Sequence, residues 1–96
     1  MNIEAQHTTD KAVSAVPIFK GTGGTTIAIK IKQEETLKEH ITKVPALLIC
    51  ISGKAVFENE QGIKEPMSSG DYIEIEPMVK HWVNAQEESN FLLIKS

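Results

Sequence analysis

Along most of this chain, apolar and polar residues alternate with a period of two. Ile27, Ile29 and Ile31 are interleaved with Thr26, Ala28, Lys30 and Lys32, the pattern of a half-buried strand. Between Tyr72 and Glu76 the alternation returns, with Ile73 and Ile75 on one side and Glu74 and Glu76 on the other. Pro45 to Ile51 is an unbroken apolar run bounded by Pro45 and Gly53, which predicts a strand buried on both faces. Ala55–Glu58 and Ile63–Met67 flank Asn59-Glu60-Gln61-Gly62, a four-residue hairpin loop in which Gly62 can take a positive φ. Trp82–Ala85 and Phe91–Lys95 read as the last two strands, and Ala12–Phe19, with Pro17 inside it, as an edge strand. Only Gln33–Lys38 invites a helical reading. It lacks an apolar stripe and is read as a turn leading into a strand.

Short strands separated by regular turn signals predict an all-β sandwich or barrel. With 96 residues, the chain makes one domain, residues 11–96, preceded by a polar segment, residues 1–10, expected to be mobile or swapped onto a second subunit. A domain this small buries only about two-thirds of its unfolded surface, so its stability should be roughly 5–10 kcal/mol, and a homodimer is expected. Gly21-Thr22-Gly23-Gly24 is not a phosphate loop. No Lys-Ser/Thr follows it and no helix pattern supplies a dipole, so it reads as a turn between two strands.

Charge and cysteine content narrow the partners. The net charge is −3 and all ten basic residues are lysine. Without arginine's planar fork, and with the lysines scattered among glutamates, nucleic-acid binding is disfavoured. The single cysteine, Cys50, excludes an intrachain disulfide. The polar start of the chain lacks the apolar run of a signal peptide, and no stretch reaches membrane-spanning length, so the expected location is cytoplasmic, with no membrane partner.

Two stretches carry a resemblance to a known family. The first runs from Leu37 through His40, Thr42 and Ala46 to Gly53; the second runs from Gly70-Asp71 through Pro77, Met78 and His81 to Asn84. Together they resemble the paired signature of the cupin superfamily, G-x5-H-x-H-x3,4-E-x6-G followed by G-x5-P-x-G-x2-H-x3-N. The resemblance spans about residues 34–85. It implies a cupin-type jelly-roll β-barrel, also called a double-stranded β-helix, whose inward side chains often hold a metal on three histidines and a glutamate. In this chain His40 and His81 stand at two of those positions. Thr42 stands at the second histidine and Ala46 at the glutamate. Glu34 replaces the leading glycine, Met78 the internal glycine, and Pro77 and Asn84 are each displaced by one residue.

The candidate site follows from these matches. His40, Thr42, Cys50 and His81 are candidate ligand-binding residues, with His40 and His81 the candidate metal ligands. Cys50 shares strand parity with Ala46 and Leu48, so a His-His-Cys set open to zinc or copper is one reading. The other is a small apolar side chain in a buried strand. Glu74 and Glu76 have the wrong parity if Ile73 and Ile75 face the core. For the two histidines three roles are open: a reduced metal site, a pair that binds a ligand or acts as acid and base, or two interior histidines satisfied by protein groups. Trp82, next to His81, would turn outward toward either a dimer interface or the domain's own second sheet.

The function expected is that of a small single-domain cupin binding a small organic molecule in its barrel, without a tightly held metal. Any cofactor would be a divalent transition metal (zinc, iron, manganese, nickel or copper) at low occupancy. The resemblance also admits enzymes: a metal-dependent dioxygenase or isomerase on a two-histidine site, or a metal-free, epimerase-like enzyme with His40 or His81 as base and Tyr72 as acid. A third class is a ligand-sensing module acting through a separate partner chain.

Overall fold

The computed structural model describes residues 1–96, and strand dominates it. After one 3-10 turn at Glu4–Gln6 come nine strands: β1 Val13–Gly21, β2 Gly24–Ile31, β3 Thr36–His40, β4 Ala46–Ser52, β5 Lys54–Asn59, β6 Lys64–Ser68, β7 Tyr72–Ile75, β8 His81–Ala85 and β9 Ser89–Lys95. The spatial order β1-β2-β9-β4-β7 makes a five-stranded sheet, and β3-β8-β5-β6 a four-stranded one. All pairings are antiparallel. From β2 to β5, and again from β6 to β9, successive strands alternate between the two sheets, which gives an all-β barrel, as the alternating pattern predicts, with the jelly-roll topology that the family resemblance implies.

The ladders fix which inward side chains share a level. The deepest well-packed level joins Ile29, Phe91 and Cys50 from the larger sheet with Ala55, Ala85 and Met67 from the smaller. Above it lie Ile27, Leu93, Leu48 and Ile73, opposite Leu37, Val83 and Phe57. Fully burying one such large side chain contributes about 1.5–3 kcal/mol, so these two levels hold the barrel closed. The next level differs. On the larger sheet it carries Thr25, Lys95, Ala46 and Ile75, and on the smaller His40, His81 and Asn59. The barrel thus has an apolar floor and a polar mouth.

One expectation is modified. The outer residues of β4, Leu47 and Ile49, are only half-buried, so this strand is fully buried on its inner face alone. The N-terminal segment rests on its own barrel: His7 Nδ1 is hydrogen-bonded to Ser14 Oγ at 2.7 Å, and Lys32 Nζ donates to the Asp10 carbonyl at 2.9 Å. Met67 is core, whereas Tyr72 and Met78 are exposed. β1 is an edge strand, pairing only with β2, and its register shifts between Pro17 and Phe19, where proline lacks the donor a regular ladder needs.

Candidate functional site

His81 starts β8 on the same inward face as Val83 and Ala85. His40 ends β3, and its orientation depends on an irregularity that spacing alone does not reveal. Leu37 pairs with Val83 and His40 with His81, so three steps along β3 match two along β8. Residues three apart in a regular strand face opposite ways. The extra residue at Lys38–Glu39 is a β-bulge, and it returns His40 to the inner face. The two imidazoles meet there with centroids 4.1 Å apart at 61°. On its other side, His81 lies over the Phe57 ring, with centroids at 5.7 Å.

Backbone carbonyls set the tautomer of both rings. His40 Nδ1 donates to the Lys38 carbonyl at 3.0 Å, and His81 Nδ1 donates to the Val79 carbonyl at 3.2 Å. A carbonyl only accepts, so each Nδ1 carries the hydrogen and each neutral ring offers Nε2 as a lone pair. Neither Nε2 has a hydrogen-bond partner, and neither is sealed from solvent. A cavity of about 90 Å³ reaches His81 between Phe57, Asn59, Ile73, Ile75 and Val79, with Glu74 and Glu76 on its rim. That is room for roughly three waters.

Burial lowers the His81 pKa, with smaller contributions in the same direction from the charges of His40 and Lys95; the bond to the Val79 carbonyl opposes them. His81 is 2% exposed, and its neutral form predominates at pH 7. The pKa of His7 is lowered too, by burial and then by Lys30. Both folded pKa values lie below the unfolded value of 6.5, so the unfolded chain takes up protons first as pH falls. Stability is therefore full above pH 6.5 and declines as pH drops from there toward the folded pKa values. Urea midpoints should be lower at pH 5.5 than at pH 7.5, and the difference should shrink in a His7→Gln, His81→Gln double variant. Equal midpoints at both pH values in the parent protein would contradict this.

The other sequence candidates separate. Thr42, two residues past His40, is 3% exposed, and its Oγ1 is buried without a hydrogen-bond partner. Such a group calls for a polar neighbour. Cys50 faces inward, as its parity predicts, but four residues along β4 from Ala46, about 13 Å at strand rise. It pairs with Phe91 in the apolar floor, and its Sγ lies 3.5 Å from the Ser52 carbonyl. Burial and then Asp71 push its thiol pKa up, opposite to what a thiolate ligand needs. The His-His-Cys set is thus not assembled. Tyr72, the candidate acid, is 68% exposed on the outer side of β7, because Ile73 and Ile75 take the inner side. It borders a separate depression with Met67 and Asp71. It cannot pair with either histidine across the mouth. Glu74 and Glu76 are exposed, as the parity of Ile73 and Ile75 predicts. Trp82 is half-buried on the outer face, opposite Glu58.

Met78 shows what the departure from the family pattern means physically. At the position of the motif's glycine its φ is +67°, in the left-handed region, and its amide donates to the Thr42 carbonyl at 2.8 Å. The backbone has kept the turn that a glycine would suit and holds a strained methionine in it. With the side chain 61% exposed, Met78→Gly should stabilise the barrel by about 0.5–1 kcal/mol, read as a higher urea midpoint. A destabilised variant would count against that reading.

The sequence reading missed Lys95. It follows Phe91 and Leu93 on the inner face of β9, is half-buried, and stands in register with Ala46, where the motif's glutamate would be. The unbroken apolar run Phe91–Ile94 hid its parity, because such a run does not reveal which alternate residues face inward.

These residues do not fit a transition metal. Two imidazoles are the strong donors that face inward, Glu74 and Glu76 lie exposed on the rim, and no group of three or more His, Cys, Asp or Glu side chains is placed to hold an ion. Catalytic metal sites typically use three protein ligands, and a lysine ammonium nearby repels a cation.

No family model and no curated protein matches the chain. Solved structures do. A cupin superfamily protein from Desulfitobacterium hafniense superposes with a TM-score of 0.84 at 13% identity, covering 97% of this chain and 84% of that one. An uncharacterized conserved protein with a double-stranded β-helix domain from Klebsiella pneumoniae gives 0.85 at 13% identity, over 98% and 85%. KdgF from Halomonas sp. gives 0.81 at 16% identity, over 93% and 84%. At these identities the likeness concerns architecture, and it agrees with the strand order and register above. This chain therefore forms a small β-barrel with the cupin fold, the double-stranded β-helix.

Proposed function

We propose that the barrel binds a small organic molecule at its polar mouth without a tightly held metal. The observation that carries this is the His40–His81 pair at 4.1 Å, each ring fixed through Nδ1 and open at Nε2, with no third donor to complete a coordination shell. A ligand hydroxyl or amide can donate to either Nε2, and the buried Thr42 hydroxyl gains a partner in the same event. The apolar walls, Phe57, Ile73, Ile75 and Val79, favour a compact ligand with one hydrocarbon face. Metal analysis of the protein purified without added metal should give far below one equivalent of transition metal per chain. About one equivalent of zinc, iron, manganese, nickel or copper would overturn the proposal.

A second reading, a metal-free acid/base enzyme, draws on the neutral His81. A histidine held by a carbonyl at Nδ1, with a free Nε2 and a lowered pKa, has the form of a general base. Its acid would have to be a group other than Tyr72. If turnover is found, kcat/KM should be lost in His81→Ala and unchanged in Tyr72→Phe.

A further inference from the structure

We propose that Lys95 makes the barrel mouth an anion site, taking a small carboxylate with a neighbouring hydroxyl, the ammonium standing in for the positive charge that a metal would otherwise supply. This rests on the small-molecule reading above and specifies its ligand.

The register places Lys95 between Thr25 and Ala46 on the inner face of the larger sheet, at the level that His40 and His81 occupy on the smaller. Facing sheets stand about 10 Å apart, a gap that a lysine stem can largely cross. Its charge is felt at His81, where it opposes a proton. It is also uncommitted. The ion pairs of the chain engage Lys30, Lys32, Lys54 and Lys80, and none includes Lys95.

Four groups at this end of the barrel have complementary chemistry. A half-buried ammonium without a counter-ion favours an anion more strongly than an exposed one would. The unpartnered Thr42 hydroxyl can donate to the same anion. The Nε2 atoms of His40 and His81 cannot donate while neutral, so they suit a hydroxyl on the ligand rather than its carboxylate. Glu74 and Glu76 also border the cavity, but both are exposed on its solvent side, where salt and water screen them.

The test compares two probes of one size: lactate, and propane-1,2-diol, in which the carboxylate becomes CH2OH. The readout is the pair of imidazole resonances of His40 and His81 in NMR titrations. Lactate should shift both in a saturable way, and the diol at equal concentration should not. Lys95→Met should weaken lactate binding at least tenfold while the amide spectrum stays folded. Lys80→Met, which removes an exposed lysine paired with Glu39, should leave it unchanged. If lactate and the diol shift the rings equally, or if Lys95→Met binds lactate as the parent does, the anion assignment falls while the small-molecule reading stands. If neither probe moves the rings but stoichiometric zinc does, both fall.

Discussion

Phe57→Ala is expected to remove about 3–5 kcal/mol, the usual cost of emptying a fully buried aromatic site. The ring is 2% exposed, lies opposite Val83 in the ladder, and stacks under His81 at 5.7 Å and 24°. It therefore belongs to the upper apolar level and also forms the floor of the polar mouth. A domain of this size has roughly 5–10 kcal/mol in all, so the urea midpoint should fall by about a third to a half or more. At about 4–8 °C per kcal/mol, the melting temperature should drop by at least about 12 °C. Phe57→Leu keeps most of the volume and should cost less than about 1.5 kcal/mol. The alanine variant has a second consequence. Burial is the main reason the His81 pKa is lowered, and a cavity beneath the ring admits water. The His81 pKa should move up toward 6.5, measurable by NMR titration. A loss under about 1 kcal/mol with an unmoved His81 would mean that Phe57 does not support the site.

The architecture was readable because one face of nearly every strand is buried. Where burial is one-sided, as in Tyr72-Ile73-Glu74-Ile75, alternation gives both the strand and its orientation. The hairpin over Asn59–Gly62 was readable from its turn residues, and Gly62 does adopt φ +90°. The approach of His40 to His81 was anticipated from motif spacing, yet the bulge that brings it about was not. Nothing in Leu37-Lys38-Glu39-His40 marks an extra residue, since a bulge is decided by the partner strand's register. Lys95 was missed for the opposite reason. Its strand is apolar on both sides, so local pattern carries no parity, and only pairing with β2 and β4 assigns it to the interior. Tyr72 lies on the outer side of β7, away from the histidines, because Ile73 and Ile75 take the inner side. Local burial is written in the sequence; contacts across the barrel depend on register, and register is a property of two strands.

Gly53→Ala should cost about as much as the loss of Phe57, for a reason that packing volume does not capture. Gly53 closes the first motif and makes the one-residue step from β4 to β5, with φ at +96°. An alanine there meets two separate penalties. The left-handed conformation costs an L-residue about 1–2 kcal/mol. The added Cβ would also run into the Glu88 carbonyl and the Ser89 hydroxyl, and stand 2.7 Å from Ser89 Cα. Ser89 is itself fully buried, with its hydroxyl donating to the Glu87 carbonyl at 2.8 Å, so the β8–β9 turn has little freedom to retreat. Gly62 separates the two penalties. It has a similar φ, +90°, but a Cβ there would touch nothing within 4 Å. Gly62→Ala should cost only the conformational part, about 1–2 kcal/mol. Gly53→Ala should exceed it by about 1–3 kcal/mol, the cost of buried overpacking. Urea denaturation of both variants measures the difference. Equal losses would mean that the close approach of β4–β5 to the Glu88–Ser89 turn relaxes without cost, and that Gly53 serves the fold through its backbone angle alone.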